Sequence, residues 1–134
     1  MQVKDPISSF KYCPKCRTEL VLETYNHRQR RICQACGFVD FHNPVPAAGA
    51  VVVKDGKLLL VRRAENPYKD DWCIPAGYME WEESPSHCAE RELKEETGLE
   101  IRATSIFEVY SGTDDPRTNA VLILYFCEVT GGAP

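Results

Sequence analysis

The 134-residue chain is 43% hydrophobic and 27% charged, the balance of an ordinary globular protein, and it is long enough for one domain plus a small satellite. No apolar run approaches the ~20 residues that cross a bilayer, and the first residues, Met1-Gln2-Val3-Lys4-Asp5-Pro6, lack a signal-peptide stretch, so a cytoplasmic location and no membrane partner are expected. Residues 1–46 carry seven Lys/Arg against four Asp/Glu, and the remainder nine against sixteen, which disfavours generic nucleic-acid binding by the larger part and suits hard cations.

Four of the seven cysteines stand as Cys13-Pro14-Lys15-Cys16 and Cys33-Gln34-Ala35-Cys36, with sixteen residues between the pairs. Two residues between thiolates let both sulfurs face one ion, and four thiolates close a tetrahedral zinc shell. Gly37 supplies a permissive backbone after the last ligand. The segments Leu20 to Tyr25 and Arg30 to Ile32 read as two short strands around the tip Asn26-His27-Arg28-Gln29, so the segment reads as a zinc ribbon. A pair of redox CxxC motifs is the competing reading, but no thioredoxin-like βαβ pattern surrounds them. A closed thiolate shell leaves no position for a catalytic water, so the zinc is expected to be structural. The basic tip reads as a solvated hairpin end rather than a phosphate contact, because Tyr25 alone interleaves with its charges. Nucleic acid is therefore not expected as a partner.

Phe41-His42-Asn43-Pro44-Val45-Pro46 ends the ribbon, giving expected domains 1–42 and 43–134. Ala47 to Lys54 reads as a buried strand, Asp55-Gly56 as a hairpin turn, and Lys57 to Arg63 as the returning strand. A loop leads to Trp72-Cys73-Ile74-Pro75, a helix follows, and Ile101 to Tyr110 and Ala120 to Val129 read as later strands. Strands interrupted by one long helix indicate an α/β or α+β sandwich.

The helix is signposted by Ser84 at the N-cap, Pro85 at the first helical position and Gly98 past the last turn. Cys88, Ala89 and Leu93 form its core-facing stripe, and Cys73 and Cys127 read as further buried small residues. Glu92, Glu95 and Glu96 project from one face, where like charges repel unless a divalent cation sits among them, and Arg91 can hold Glu95. By helix composition alone a solvated acidic face is the simpler reading.

The wider pattern overrides it. Gly77, Glu83 and Arg91-Glu92-Leu93-Lys94-Glu95-Glu96-Thr97-Gly98-Leu99 match G-x5-E-x7-R-E-U-x-E-E-x-G-U, with U apolar, at every specified position. This resembles the signature of the Nudix hydrolase family, and the ribbon is similar to that of its zinc-ribbon branch. The resemblance implies an α/β/α sandwich with a mixed sheet, preceded by the ribbon. Relatives usually continue past the point where this chain stops, so the C-terminal end of the fold is expected to be incomplete.

It also implies hydrolysis of the pyrophosphate in a nucleoside diphosphate linked to another group, with catalysis by Glu92, Glu95, Glu96 and Arg91. Mg²⁺ or Mn²⁺ would be held by Ala76, Glu83, Glu92, Glu95 and Glu96, and zinc by Cys13, Cys16, Cys33 and Cys36. Glu92 is the first candidate for general base, with a late-loop glutamate the alternative in some relatives.

Substrate choice lies outside the fixed positions of this signature. Arg62 and Arg63 either grip phosphates or serve as structural charges; Tyr78 and Trp81 either stack on a base or pack at the rim. Glu80 can contact a ribose or a metal-bound water. Thr113-Asp114-Asp115-Pro116-Arg117 is similar to the Asp-Pro-Arg stretch of ADP-ribose-type relatives, though it also reads as a plain turn, and it places Arg117 among the substrate contacts. The expected order is ADP-ribose or an ADP-sugar, then NADH or FAD, then oxidised nucleoside triphosphates and RNA caps. A ligand sensor without turnover is the competing class, and the resemblance admits a homodimer.

Overall fold

The structure, a computed structural model, describes residues 7–112 and 118–133, and the chain divides into two compact units, Met1–Asn43 and Pro44–Pro134. In the first unit β1 (Val21–Tyr25) and β2 (Arg28–Ile32) pair antiparallel, and β3 (Val39–Asp40) adds to β2. The hairpin is tighter than the sequence suggested. Asn26 and His27, with φ of 49° and 66°, make a two-residue turn whose left-handed backbone matches strand twist, so Arg28 and Gln29 lie in β2.

Each CxxC bends through the same turn: Arg17 N–H donates to Cys13 O and Gly37 N–H to Cys33 O, both at 2.9 Å. Among the described residues the buried apolar cluster here is Cys13, Leu20 and Cys33, with Phe38 packed against it. That is too little apolar area to offset the chain entropy of some forty residues, so the cysteines must contribute more than packing.

The second unit is built on a mixed four-stranded sheet of order β10-β11-β4-β9, formed by β4 (Val45–Val51), β9 (Ala76–Tyr78), β10 (Leu99–Gly112) and β11 (Ala120–Gly132). β11 runs parallel to β4, and the other two pairings are antiparallel. Two small ladders flank it: β5 (Val53–Lys54) with β6 (Lys57–Leu58), and β7 (Val61–Arg62) with β8 (Trp72–Cys73).

The single helix among the described residues, α1 (Pro85–Thr97), begins at Ser84, whose hydroxyl accepts from His87 N–H at 3.3 Å. It ends at Gly98, with φ 80° and its N–H on Lys94 O. Cys88, Ala89 and Leu93 are wholly buried, packed against Ala48, Ala50, Val52, Ile101 and Cys127. Alanines on β4 let the helix axis approach the sheet, which fixes the height at which its glutamates emerge. Phe107 and Phe126 stack edge-on, 5.1 Å between centroids, and both remain more than 40% exposed.

Several local readings need correcting. The strand expected over 47–54 begins at Val45 and breaks at Val52, because Val52 leaves the ladder to receive Leu59 N–H at 2.9 Å. The returning strand likewise splits into β6 and β7. Neither β3 nor β9 carries enough residues to show a period. Cys88 and Cys127 are buried as expected, but Cys73, on an outlying ladder, is only half-buried.

Candidate active site and candidate zinc centre

Five residues of α1 and the turn before it converge through one arginine. Arg91 faces both carboxylate oxygens of Glu83, with Nε at 2.5 Å from Oε2 and Nη2 at 2.8 Å from Oε1. Its Nη1 donates to Glu92 Oε1 at 3.0 Å and to Glu95 Oε2 at 3.1 Å, while Nη2 also donates to the Tyr78 carbonyl at 3.1 Å. A guanidinium presents five N–H groups in a fixed fork, so one side chain can orient three carboxylates and tie them to β9. Glu83 accepts Glu80 N–H at 2.8 Å as well, which closes the turn leading into the helix.

The electrostatics separate the four glutamates. The bidentate Arg91 holds the Glu83 carboxyl at a pKa of about 2. Lost hydration and then the charge of Glu92 push Glu96 up to about 7, with Glu95 adding and Arg63 opposing. Like charges therefore accumulate at the helix's C-terminal end beyond what Arg91 compensates.

Gly77 explains how Glu92 fits beneath β9. A Cβ there would collide with the Glu92 carboxyl group, so the first residue of the signature must be glycine for the carboxylate to lie against the strand. That cradle, and the crowding felt by Glu96, are what a hard divalent cation suits: carboxylate oxygens held close, with excess negative charge. Glu92, Glu95, Glu96 and Glu83 would hold it. No three of these carboxylates yet lie within one ion's reach, the gathered set among the described residues being the four thiols.

A cavity of about 670 Å³ lies beside this face, bringing together Arg62, Arg63, Ala76 and Glu96 against an apolar wall that includes Ile74 and Leu124. Arg63 is buttressed by donating Nε–H to Pro67 O at 2.7 Å, and Arg62 pairs with Asp70 at 3.4 Å. Sequence reading found the arginines but missed the wall, although the alternation of Leu122 and Leu124 along β11 carried the signal. Tyr78, Glu80 and Trp81 do not line the cavity; Trp81 is fully exposed, so it packs in no rim. Arg117 lies outside the described residues.

In the other unit the four cysteine sulfurs lie within 4.8 Å of one another, with Cys13 to Cys36 at 3.6 Å and Cys16 to Cys33 at 3.4 Å. Ligands 2.3 Å from a tetrahedral zinc stand ~3.8 Å apart, so the cluster fits that ion. Backbone N–H groups of Lys15 and Cys36 point to Cys13 and Cys33 sulfur at 3.4 Å, and the Cys36 N–H lowers the pKa of the Cys33 thiol. Hydrogen bonding with Thr18 lowers Cys16 to about 6, while lost hydration and the neighbouring cysteine thiols push Cys36 up to about 11.

Comparison with known proteins completes the picture. Residues 43–134 match the NUDIX domain family. An ADP-ribose pyrophosphatase of Methanocaldococcus jannaschii is 38% identical over 91 residues, 67% of this chain and 54% of that protein. A NAD-capped RNA hydrolase, NudC, of Chromobacterium violaceum is 26% identical over 131 residues, 98% of this chain and 47% of its own. The crystal structure of a NUDIX hydrolase from Nitrosomonas europaea superposes with a TM-score of 0.79 at 30% identity, covering 91% of this chain and 69% of that one. The chain thus spans about half the length of these two curated relatives.

Proposed function

Given that the chain belongs to the Nudix hydrolase family, we propose that it hydrolyses the pyrophosphate of a nucleoside diphosphate joined to another moiety, with ADP-ribose or an ADP-sugar as its substrate. The observation that carries this reading is the Arg91-organised set of glutamates standing beside a cavity that holds two arginines and an apolar wall.

Bound Mg²⁺ or Mn²⁺ would neutralise the phosphate oxygens and lower the pKa of a water. The chain's own residues do the rest. Glu92 accepts the proton of the attacking water, whose oxygen bonds to one phosphorus as the bridging P–O bond breaks, leaving two phosphate-bearing halves. Arg91 keeps the Glu92 and Glu95 carboxylates in place, which limits the reorganisation needed to closing on the ion. Arg62 and Arg63 grip the phosphates, and Ile74 and Leu124 exclude water. Ala76, where β9 begins, and Glu83 complete the cation site. The likeness to an ADP-ribose pyrophosphatase supports the substrate order.

A dinucleotide such as NADH or FAD is the second reading. It is favoured by the NAD-capped RNA hydrolase whose likeness spans the ribbon as well. A sensor without turnover is disfavoured by the intact set Glu92, Glu95 and Glu96.

Incubation with Mg²⁺ and a panel of ADP-ribose, ADP-sugars, NADH and FAD, followed by mass spectrometry, tests the proposal. Two phosphate-bearing products are expected, falling at least about a hundredfold in Glu92→Gln. Saturable ligand binding with no product would establish the sensor instead.

A further inference from the structure

We infer that the ribbon unit carries a binding surface for single-stranded RNA, centred on Tyr25, Phe41, Arg28 and Arg30 at the far end of its hairpin. From sequence, only Tyr25 stood among the charges; the structure adds Phe41 from the segment after β3. Its ring meets Tyr25 edge-on, with centroids 5.9 Å apart, and the Arg30 guanidinium lies over it at 4.9 Å. Arg30 is anchored there by donating to Phe41 O at 2.8 Å and Tyr25 O at 3.3 Å. Tyr25 is paired directly across the ladder with Arg28, so both belong to one face.

A miniature core would bury these rings, yet Tyr25 and Phe41 remain 41% and 42% exposed. The unit repeats the device: Lys11 stands 5.6 Å from the ring of Tyr12, itself 56% exposed. Exposed rings fixed beside cations are what unstacked bases and their phosphates recognise, since every base offers a π-face. A duplex hides those faces, and among the described residues of this unit there is no helix to enter a groove. RNA is the polymer whose bases are ordinarily found unpaired in loops and ends, which decides between the two nucleic acids.

Charge is favourable where it matters. Residues 7–43 hold six Lys/Arg against three Asp/Glu, and the one acid facing Arg30, Glu23, accepts from Gln34 Nε2 at 2.8 Å. Four thiolates around one zinc leave a net negative charge at the cysteine end. Strands of five residues set the tip ~17 Å away, beyond the ~8 Å screening length at physiological salt.

The test is fluorescence anisotropy of a labelled single-stranded RNA of about twelve nucleotides, titrated with the zinc-loaded full chain. Saturable binding is expected, weakened roughly ten- to hundredfold by Tyr25→Ala or Phe41→Ala. A salt slope near −1.4 is expected if Arg28 and Arg30 each neutralise one phosphate. Tyr25→Trp should keep affinity and show tryptophan quenching on saturation, which holds even if an alanine variant loses zinc. Hydrolysis of a small nucleotide substrate should be unchanged in all these variants, so failure here is separable from failure of the enzymatic reading. Absence of saturable binding, wild-type affinity in zinc-replete alanine variants, or an unquenched Tyr25→Trp would overturn the surface. Equal or tighter binding of single-stranded DNA would overturn its assignment to RNA.

Discussion

Glu92 sits where it does because two neighbours leave it no other place: Arg91 pulls one oxygen to 3.0 Å, and Gly77 has no Cβ to push it back. Gly77→Ala is therefore expected to displace the carboxylate while leaving the fold intact. Turnover should drop about a hundredfold, as for other misplaced catalytic groups, with weaker Mg²⁺ activation in steady-state kinetics; wild-type kinetics would refute the cradle. A second residue reads on stability. Burial raises the Cys127 thiol from 9.0 to about 11, with the Glu90 charge adding. The folded state thus favours the protonated thiol, so its contribution is full below pH 9 and is lost as pH rises toward 11. Thermal melts of wild type should fall more steeply over that window than those of Cys127→Ala, by about 2 kcal/mol at most. Parallel curves would remove the effect. Glu92, Glu95 and the four thiols were legible in the sequence because each set is local, fixed by helical or CxxC spacing. The partners of Arg62 and Arg63 were not, since Asp70 and Pro67 reach them only after the loop folds back.

At the level of elements, α1 carries the glutamates gathered by Arg91, and its two ends set its stability. Ser84 satisfies one of the unpaired N–H groups of the first turn, so Ser84→Ala should cost about 1 kcal/mol in denaturant unfolding. Gly98 takes φ 80°, and a Cβ there would stand 2.5 Å from the Ala133 carbonyl. Gly98→Ala should cost more than Ser84→Ala, since it adds left-handed strain of about 1–2 kcal/mol to that collision. The reverse order in urea melts would show that the caps are not what fixes the helix. The helix could be read in advance because Ser-Pro, an apolar stripe and a terminal glycine agree over thirteen residues. Between 45 and 78 the Asp55-Gly56 turn, where Lys54 pairs with Lys57, was legible too, but the other strands were not. Their ladders are two to seven residues long and are set by distant partners: β4 lies between β9 and β11, whose segments are separated by the whole helix and β10.

The whole molecule divides its stabilising devices between its units. Pro44–Pro134 has an apolar core drawn from helix and sheet, whereas the described residues of Met1–Asn43 bury Cys13, Leu20 and Cys33 as their apolar cluster. If zinc supplies the missing folding energy, stripping it should release the ribbon and spare the larger unit, whose carboxylates need a different, harder ion. Hydrogen exchange after treatment with a thiol-competitive chelator should show residues 10–40 losing protection while α1 and β4 keep theirs. Hydrolysis should return on adding Mg²⁺ alone. Activity that instead follows zinc stoichiometry would mean the thiolate centre takes part in the reaction. Protection retained in 10–40 without zinc would mean that Leu20, Phe38 and the hairpin suffice, and that the thiols are clustered for another purpose.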